Sequence, residues 1–258
     1  MMNSHMLMTK ASKRKLYAEA LLYVDTSTPD YSFERSFALM KEGADTGDPA
    51  FLNTLGSYYE HGIGTKKDGK LAFECYRNAS ELGLEDATYN LGTCYFSGIG
   101  TRRNGVKAFQ CFKLASDKAV PEAVHMLGFC YRYGIGQEQN TKLGYQFEKK
   151  AAALGVTEAY FSLGVCLSRG EGVRQDKKAA LEWFLKAARK GHDEASFNVA
   201  YYYEHGIGVV RNLKTAAKWY QRSLQSGNED AGAALRRLTG GALKPGFGLS
   251  GDVHMLQT

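Results

Sequence analysis

Five cysteines, six histidines and a series of G-x-G glycine pairs are the features of this 258-residue chain that could carry chemistry. Thiols and imidazoles bind metals or act as nucleophile and base, and closely spaced glycines can cradle a phosphate. Each of these needs a particular spacing. The cysteines form no C-x-x-C pair and no Cys/His group with zinc spacing. Instead Cys94, Cys130 and Cys166 stand 36 residues apart. His61 and His205 share one position of that spacing, four steps apart, while His125 stands alone on its helix face. At about 10 Å between stacked helices, the first two cannot share a metal. A phosphate cradle needs a preceding strand and a G-x-G-x-x-G frame, and neither is present. No Ser/His/Asp or Cys/His arrangement follows from spacing. The sequence therefore assigns no catalytic, metal-binding or cofactor-binding residue, and the chain is expected not to be an enzyme.

The spacing itself is the dominant signal. Tyr58-Tyr59-Glu60-His61-Gly62-Ile63-Gly64 returns as Tyr202-Tyr203-Glu204-His205-Gly206-Ile207-Gly208, and the glycine pair recurs every 36 residues between them. A fixed period of this size means stacked supersecondary units that bury their apolar faces against their neighbours. It also explains the cysteines. The position of Cys94, Cys130 and Cys166 is held by Tyr58 and Tyr202 in the outer copies, and Cys75 and Cys111 stand where Trp183 and Trp219 appear later. Sites that accept Cys, Tyr or Trp are packing sites, so reduced structural thiols are expected.

Five regular repeats begin near Pro49, Glu85, Pro121, Thr157 and Asp193. In each, a first helix carries a small residue in mid-course: Gly56, Gly92, Gly128, Gly164 and Ala200. Glycine inside a helix is unfavourable by roughly 1 kcal/mol, so its recurrence predicts a close helix crossing. The glycine pair ends that helix, and Asp68, Asn104, Asn140, Asp176 and Asn212 are N-cap residues for the second. Apolar residues at spacings of three and four, such as Ala180, Trp183, Phe184 and Ala187, give the second helix its buried face. Residues 13–48 read as a divergent first repeat and 229–239 as a capping helix. Residues 1–12 are expected to be disordered and 240–258 to form a flexible tail. Net charge is +6, scattered as short basic pairs such as Lys66-Lys67 and Arg102-Arg103. That pattern is a solvated surface rather than a nucleic-acid stripe, and no nucleic-acid partner is expected. No apolar run is long enough for membrane insertion or a signal peptide, so a cytoplasmic location is expected if residue 1 is the natural start.

The repeat spells A-x-x-x-L-G-x-x-Y-x-x-G-x-G, then Asp or Asn, then A-x-x-W/C-Y/F-x-x-A, then Gly. This resembles the Sel-one-like repeat (SLR) family, relatives of the tetratricopeptide repeats. The fourth repeat matches best, with Asp176, Lys178, Ala180, Trp183, Phe184, Lys186, Ala187, Ala188 and Gly191 in register. The resemblance implies an all-α, right-handed superhelical solenoid of antiparallel helix pairs over residues 13–239. It also implies scaffold or adaptor work, with a protein or peptide partner held along a concave groove. Two alternatives come from the same family: a β-lactam-binding or hydrolase-like protein, and a self-assembling structural protein. Against the first, the cysteine-rich branch has a signal peptide and a disulfide in each repeat, and the cysteines here lie elsewhere. A monomer is expected.

In tetratricopeptide arrays the first helix of each pair lines the groove. Transferred through the L-G-x-x-Y frame, that geometry places Tyr89 and Phe96 of the second repeat in the groove. His125, Phe129, Arg132 and Tyr133 follow from the third, and Phe161 and Arg169 from the fourth. Phe197, Tyr201, Glu204 and His205 complete it from the fifth. Aromatics with arginine are the residue types of binding hot spots, and the expected partner is a segment with apolar anchors and some acidic character.

Overall fold

The computed structural model describes residues 8–27 and 31–238. Those residues form thirteen helices and no strand, an all-α repeat solenoid of helix pairs. The chain divides into two compact units at the boundary between the third and fourth regular repeats, Met1–Val156 and Thr157–Thr258. The first unit contains α1 (Lys10–Leu22), α2 (Phe33–Ala44), α3 (Pro49–His61), α4 (Gly69–Glu81), α5 (Glu85–Ser97), α6 (Gly105–Asp117), α7 (Pro121–Tyr133) and α8 (Thr141–Ala153). The second contains α9 (Thr157–Arg169), α10 (Lys177–Arg189), α11 (Asp193–His205), α12 (Leu213–Gln225) and α13 (Glu229–Leu238).

The divergent first repeat is the pair α1–α2. Its first helix starts at Lys10, inside the stretch expected to be disordered, because Thr9 Oγ1 accepts the backbone N–H of Ser12 and caps it. The remainder of that expectation and the 240–258 tail lie outside the described residues. Buried Ser36 of α2 donates to the carbonyl of Ala20 in α1 at 2.7 Å and meets the Tyr58 hydroxyl of α3 at 2.8 Å.

The turn between the two helices of each regular repeat is the same object five times. A glycine at positive φ closes the first helix, as at Gly62 with φ 74°. The N-cap residue of the second helix then donates its N–H back to the first, from Asp68 to Tyr59 at 2.8 Å through to Asn212 to Tyr203 at 2.9 Å. The N-cap side chains of Asp68, Asn104, Asn140, Asp176 and Asn212 each accept a backbone N–H from the first turn they open. The second glycine serves stacking: a Cβ on Gly100 would lie 1.9 Å from the Gly69 carbonyl oxygen at the start of the preceding repeat's second helix.

Packing inside the pairs explains the small mid-helix residue. At Gly56, Gly92 and Gly164 an added Cβ would meet the ring twenty residues on, Tyr76, Phe112 and Phe184, at 2.8, 2.8 and 2.5 Å. The glycine makes room for a buried ring, and burying a side chain of that size contributes about 1.5–3 kcal/mol. At Gly128 the residue twenty on is Glu148, and here no ring is among the three nearest atoms: Gly144 O, Glu148 N and Phe147 Cβ each lie 3.2 Å from an added Cβ. The expected close helix crossing is thus met at Gly128, and a ring takes its place in three other repeats. Cys94 and Cys130 are buried, and burial pushes their thiols up to about 12 and about 11. Tyr58 and Tyr202, at the same repeat position, are buried as well and keep their hydroxyls bonded to Ser36 and Ser168.

Candidate functional site

The residues expected on the binding face fall at four positions of the first helix, those of Asn53, Ser57, Glu60 and His61 in the first regular repeat. What fills them changes along the chain.

In the first unit, α3, α4 and α5 enclose a cleft of about 450 Å³ lined by polar groups. Asn53, Ser57, Glu60 and His61 come from α3, Tyr76 from α4, and Tyr89, Asn90 and Thr93 from α5. Asn90 donates to Asn53 Oδ1 at 2.9 Å, tying adjacent repeats together. Tyr76 donates its hydroxyl to Glu60 Oε2 at 2.7 Å. Burial first, and then the neighbouring Glu60 carboxylate, hold the Tyr76 hydroxyl far above its usual range.

Further along the same unit the face becomes aromatic. Phe96 meets Phe129 edge-on at 6.0 Å, and Phe129 lies 4.5 Å from Tyr133, whose ring is 48 % exposed. Beneath this rim lies a buried charge cluster. His125 Nδ1 is 2.8 Å from Glu148 Oε2. Arg132 Nη1 stands 3.7 Å from Glu148 Oε1, and its Nη2 donates to the Tyr133 hydroxyl at 3.3 Å. Glu148 is fully buried and Arg132 is 3 % exposed. Charges so placed persist only when paired. The cluster has a packing requirement as well, since a Cβ on Gly144 would sit 2.5 Å from Arg132 Cγ.

In the second unit, Phe161 stacks on His192 with centroids 4.4 Å apart and packs on Phe184. Arg169 is exposed and pairs with Glu171 at 3.4 Å. Around α11, α12 and α13 a cleft of about 270 Å³ is lined by Phe197, Tyr201, His205, Tyr220, Ala233, Ala234 and Arg237, with Asp230 at its edge. Tyr201 and His205 pack with centroids 4.1 Å apart. Glu204 is buried, accepting the Tyr220 hydroxyl at 2.7 Å and the Arg237 guanidinium at 2.6 Å. Burial works against the Glu204 charge, but the bonds from Tyr220 and Arg237 outweigh it and hold the carboxyl below its usual range.

Of the residues expected on the binding face, Tyr133, Tyr201, Arg169 and His205 are exposed, and Tyr89, Phe96, His125, Phe129, Phe161 and Phe197 are half-buried. Arg132 and Glu204 are not free to meet a partner: each is buried and paired within its own unit. Glu148, Tyr220 and Arg237 went unnoticed in the sequence. A signal existed. The positions of Glu60, Phe96, Arg132, Ser168 and Glu204, matched with those sixteen residues on, read Glu/Tyr, Phe/Phe, Arg/Glu, Ser/Phe and Glu/Tyr. The arginine appears only where the ring is replaced by a carboxylate.

Among the described residues no three His, Cys, Asp or Glu side chains are placed to hold a metal, and no helix is long and apolar enough to cross a membrane. No curated protein matches the chain. Among solved structures, it resembles c5321, a protective antigen of uropathogenic Escherichia coli strains with an SLR fold. Identity is 27 % and the TM-score 0.70, over 89 % of this chain and 49 % of that one, so the chain spans about half that protein's length. It also resembles a Sel1 repeat protein from Oxalobacter formigenes, at 29 % identity and TM-score 0.72, over 84 % of this chain and 86 % of the other. The immunity protein Pa5087 of Pseudomonas aeruginosa shares the fold at 20 % identity and TM-score 0.58, over 86 % and 84 % of the two chains. Sel1 repeat proteins are generally protein-interaction scaffolds rather than enzymes. The Sel1 repeat model matches residues 52–84, 85–120, 121–156, 157–192 and 193–228, in the register that the helix pairs follow, and the chain belongs to the Sel1 repeat family.

Proposed function

We propose that the protein is an interaction scaffold that holds a protein or peptide segment against the first-helix faces of its repeats. One observation carries this: aromatic side chains stay open on those faces although each unit has a filled core. Tyr133 and Tyr201 are 48 % and 42 % exposed, and both sit beside half-buried rings, Phe129 and Phe197. Open rings backed by a rigid layer of further rings supply contact area at low entropic cost, which is what interface anchors require. The anchors are Tyr133 with Phe96 and Phe129 in the first unit, and Tyr201 with Phe161 and Phe197 in the second. His205 and Arg169 add polar contacts, and Arg169 favours an acidic residue in the segment. Arg132 and Glu204 act from behind, by fixing Tyr133 and the α11–α12–α13 packing.

Affinity capture from the native cell tests this with the double variant Tyr133→Ala/Tyr201→Ala. Both residues are more than two-fifths exposed, so the melting temperature should fall by only a few degrees. Capture of the partner should fall by about tenfold or more. Undiminished capture by the folded double variant would remove the aromatic faces as the binding site.

A further inference from the structure

The two clefts are the same place in the repeat. Tyr76, Tyr89, Asn90 and Thr93 stand four repeats before Tyr220, Ala233, Ala234 and Arg237, and all eight line their respective clefts. In the second unit the cleft carries its own occupant. The Arg237 guanidinium reaches from α13 and binds Glu204 Oε1, while Tyr220 donates to Oε2. In the first unit the carboxylate and the tyrosine are kept, with Tyr76 donating to Glu60 Oε2 at the same 2.7 Å. The arginine is replaced by Thr93, whose short hydroxyl bonds to the Tyr89 carbonyl in its own helix. Among the described residues no ion pair includes Glu60. The cleft is correspondingly larger, about 450 against about 270 Å³.

We infer that the Glu60 cleft is a recognition site for the side chain of an arginine presented by a protein segment. The second unit shows the chemistry in cis: a guanidinium accepted by a carboxylate that a buried tyrosine orients. Glu60 is held in that orientation by Tyr76, so little freedom is lost on binding. The substitutions that accompany Thr93 suit the same ligand. Ala233 and Ala234 become Tyr89 and Asn90, which supply an aromatic wall and an amide where the second unit has only methyl groups. A guanidinium stacks on an aromatic face and donates in a planar fork to carboxylate and amide oxygens. An ammonium matches neither feature as well. That the arginine belongs to a protein segment rests on the scaffold reading; the guanidinium site rests on the cleft alone.

The test is an NMR titration of the full chain with N-acetyl-L-arginine amide, following the backbone amides of α3 and α5. Saturable shifts confined to the region around Glu60, Asn90 and Thr93 are expected, with N-acetyl-L-lysine amide weaker by about fivefold or more. Glu60→Gln should weaken the arginine probe by about tenfold or more. Thr93→Arg should abolish binding by supplying the guanidinium in cis, as Arg237 does, with the melting temperature unchanged or raised. Absence of saturable shifts, or equal binding by folded Glu60→Gln, overturns the site. Free arginine binding about tenfold more tightly than the blocked form would overturn its assignment to a protein segment. None of these results depends on Tyr133 or Tyr201, so this site can fail while capture by the aromatic faces survives, and the reverse.

Discussion

Glu60 and Glu204 occupy the same place in one seven-residue phrase, Y-Y-E-H-G-I-G, and both accept a tyrosine hydroxyl from the second helix at 2.7 Å. Their surroundings nonetheless differ. Glu204 is buried and bridged by Arg237, whereas Glu60 is half-buried at the wall of a polar cleft. Nothing within the phrase causes this. The difference comes from the neighbouring positions: Arg237 against Thr93 on the following helix, and Phe197 against Asn53 on the same one. In a repeat protein the unit sets the scaffold, and the residue that the next unit places beside it sets the chemistry. Repeat three carries this further. There the carboxylate has moved to the second helix as Glu148, the first helix supplies Arg132, and Gly144 replaces the usual alanine to admit its side chain.

The pairs of repeats one, three and five should each tolerate one carboxylate with its partner and no more. The largest effect should follow from Arg132→Glu, which puts a second carboxylate against fully buried Glu148. The expected loss is about 3–5 kcal/mol, read from denaturant unfolding, because it both removes the cation and adds a like charge. Adding Glu148→Tyr and Gly144→Ala rebuilds the Glu/Tyr pair of repeats one and five, and should recover most of that loss. A single variant as stable as the parent, or a triple variant that recovers nothing, would show that the pairs obey no common rule.

A smaller effect distinguishes the two ends of the comparison directly. Arg237→Ala leaves Glu204 with Tyr220 alone in a buried site. Because the Arg237 side chain is itself 63 % exposed, the loss should be about 1–2 kcal/mol, below that for a fully buried pair. Thr93→Ala, the matching truncation in the first unit, should stay within about 0.5 kcal/mol. Equal losses at the two positions would mean that Arg237 acts only by packing α13.

The sequence made the fold legible because its signals are local and repeated. Glycine at the helix end, Asp or Asn at the next cap and alternating small and large apolar residues all act within a few residues, and each recurs at a fixed step. Helix α1 starts at Lys10, three residues before the expected divergent repeat, because its cap, Thr9, stands alone without a copy elsewhere in the chain. The surroundings of the residues expected on the binding face were less legible for a physical reason. A charged residue on a helix face reads as exposed until its partner is identified. For Arg132 the partner lies sixteen residues on, and for Glu204 it lies thirty-three residues on, in the capping helix. The first is visible once repeats are aligned by pairs of positions. The second falls in the capping helix, at the repeat position of Thr93, where Ser57, Phe129, Val165 and Tyr201 give no sign of an arginine.

The smallest expected effect is also the most specific to Glu204. Its folded carboxyl sits below its ordinary value of 4.5, since Tyr220 and Arg237 outweigh the effect of burial, with His205 adding a further favourable charge. The unfolded chain therefore takes up the proton first as the pH falls. The stabilisation from this group is complete above the ordinary value and is lost as the pH drops through the lower, folded value. Melting temperature measured from pH 6 down to about 3 should fall more steeply for the parent than for Glu204→Gln, which lacks the titrating group. Arg237→Ala should flatten the same part of the curve, because it removes one of the bonds that depress the folded value. A Glu204→Gln curve parallel to the parent through this range would show that Glu204 contributes nothing to acid sensitivity. The Arg237 contact would then be a surface pair, and the second unit would offer no model for what binds at Glu60.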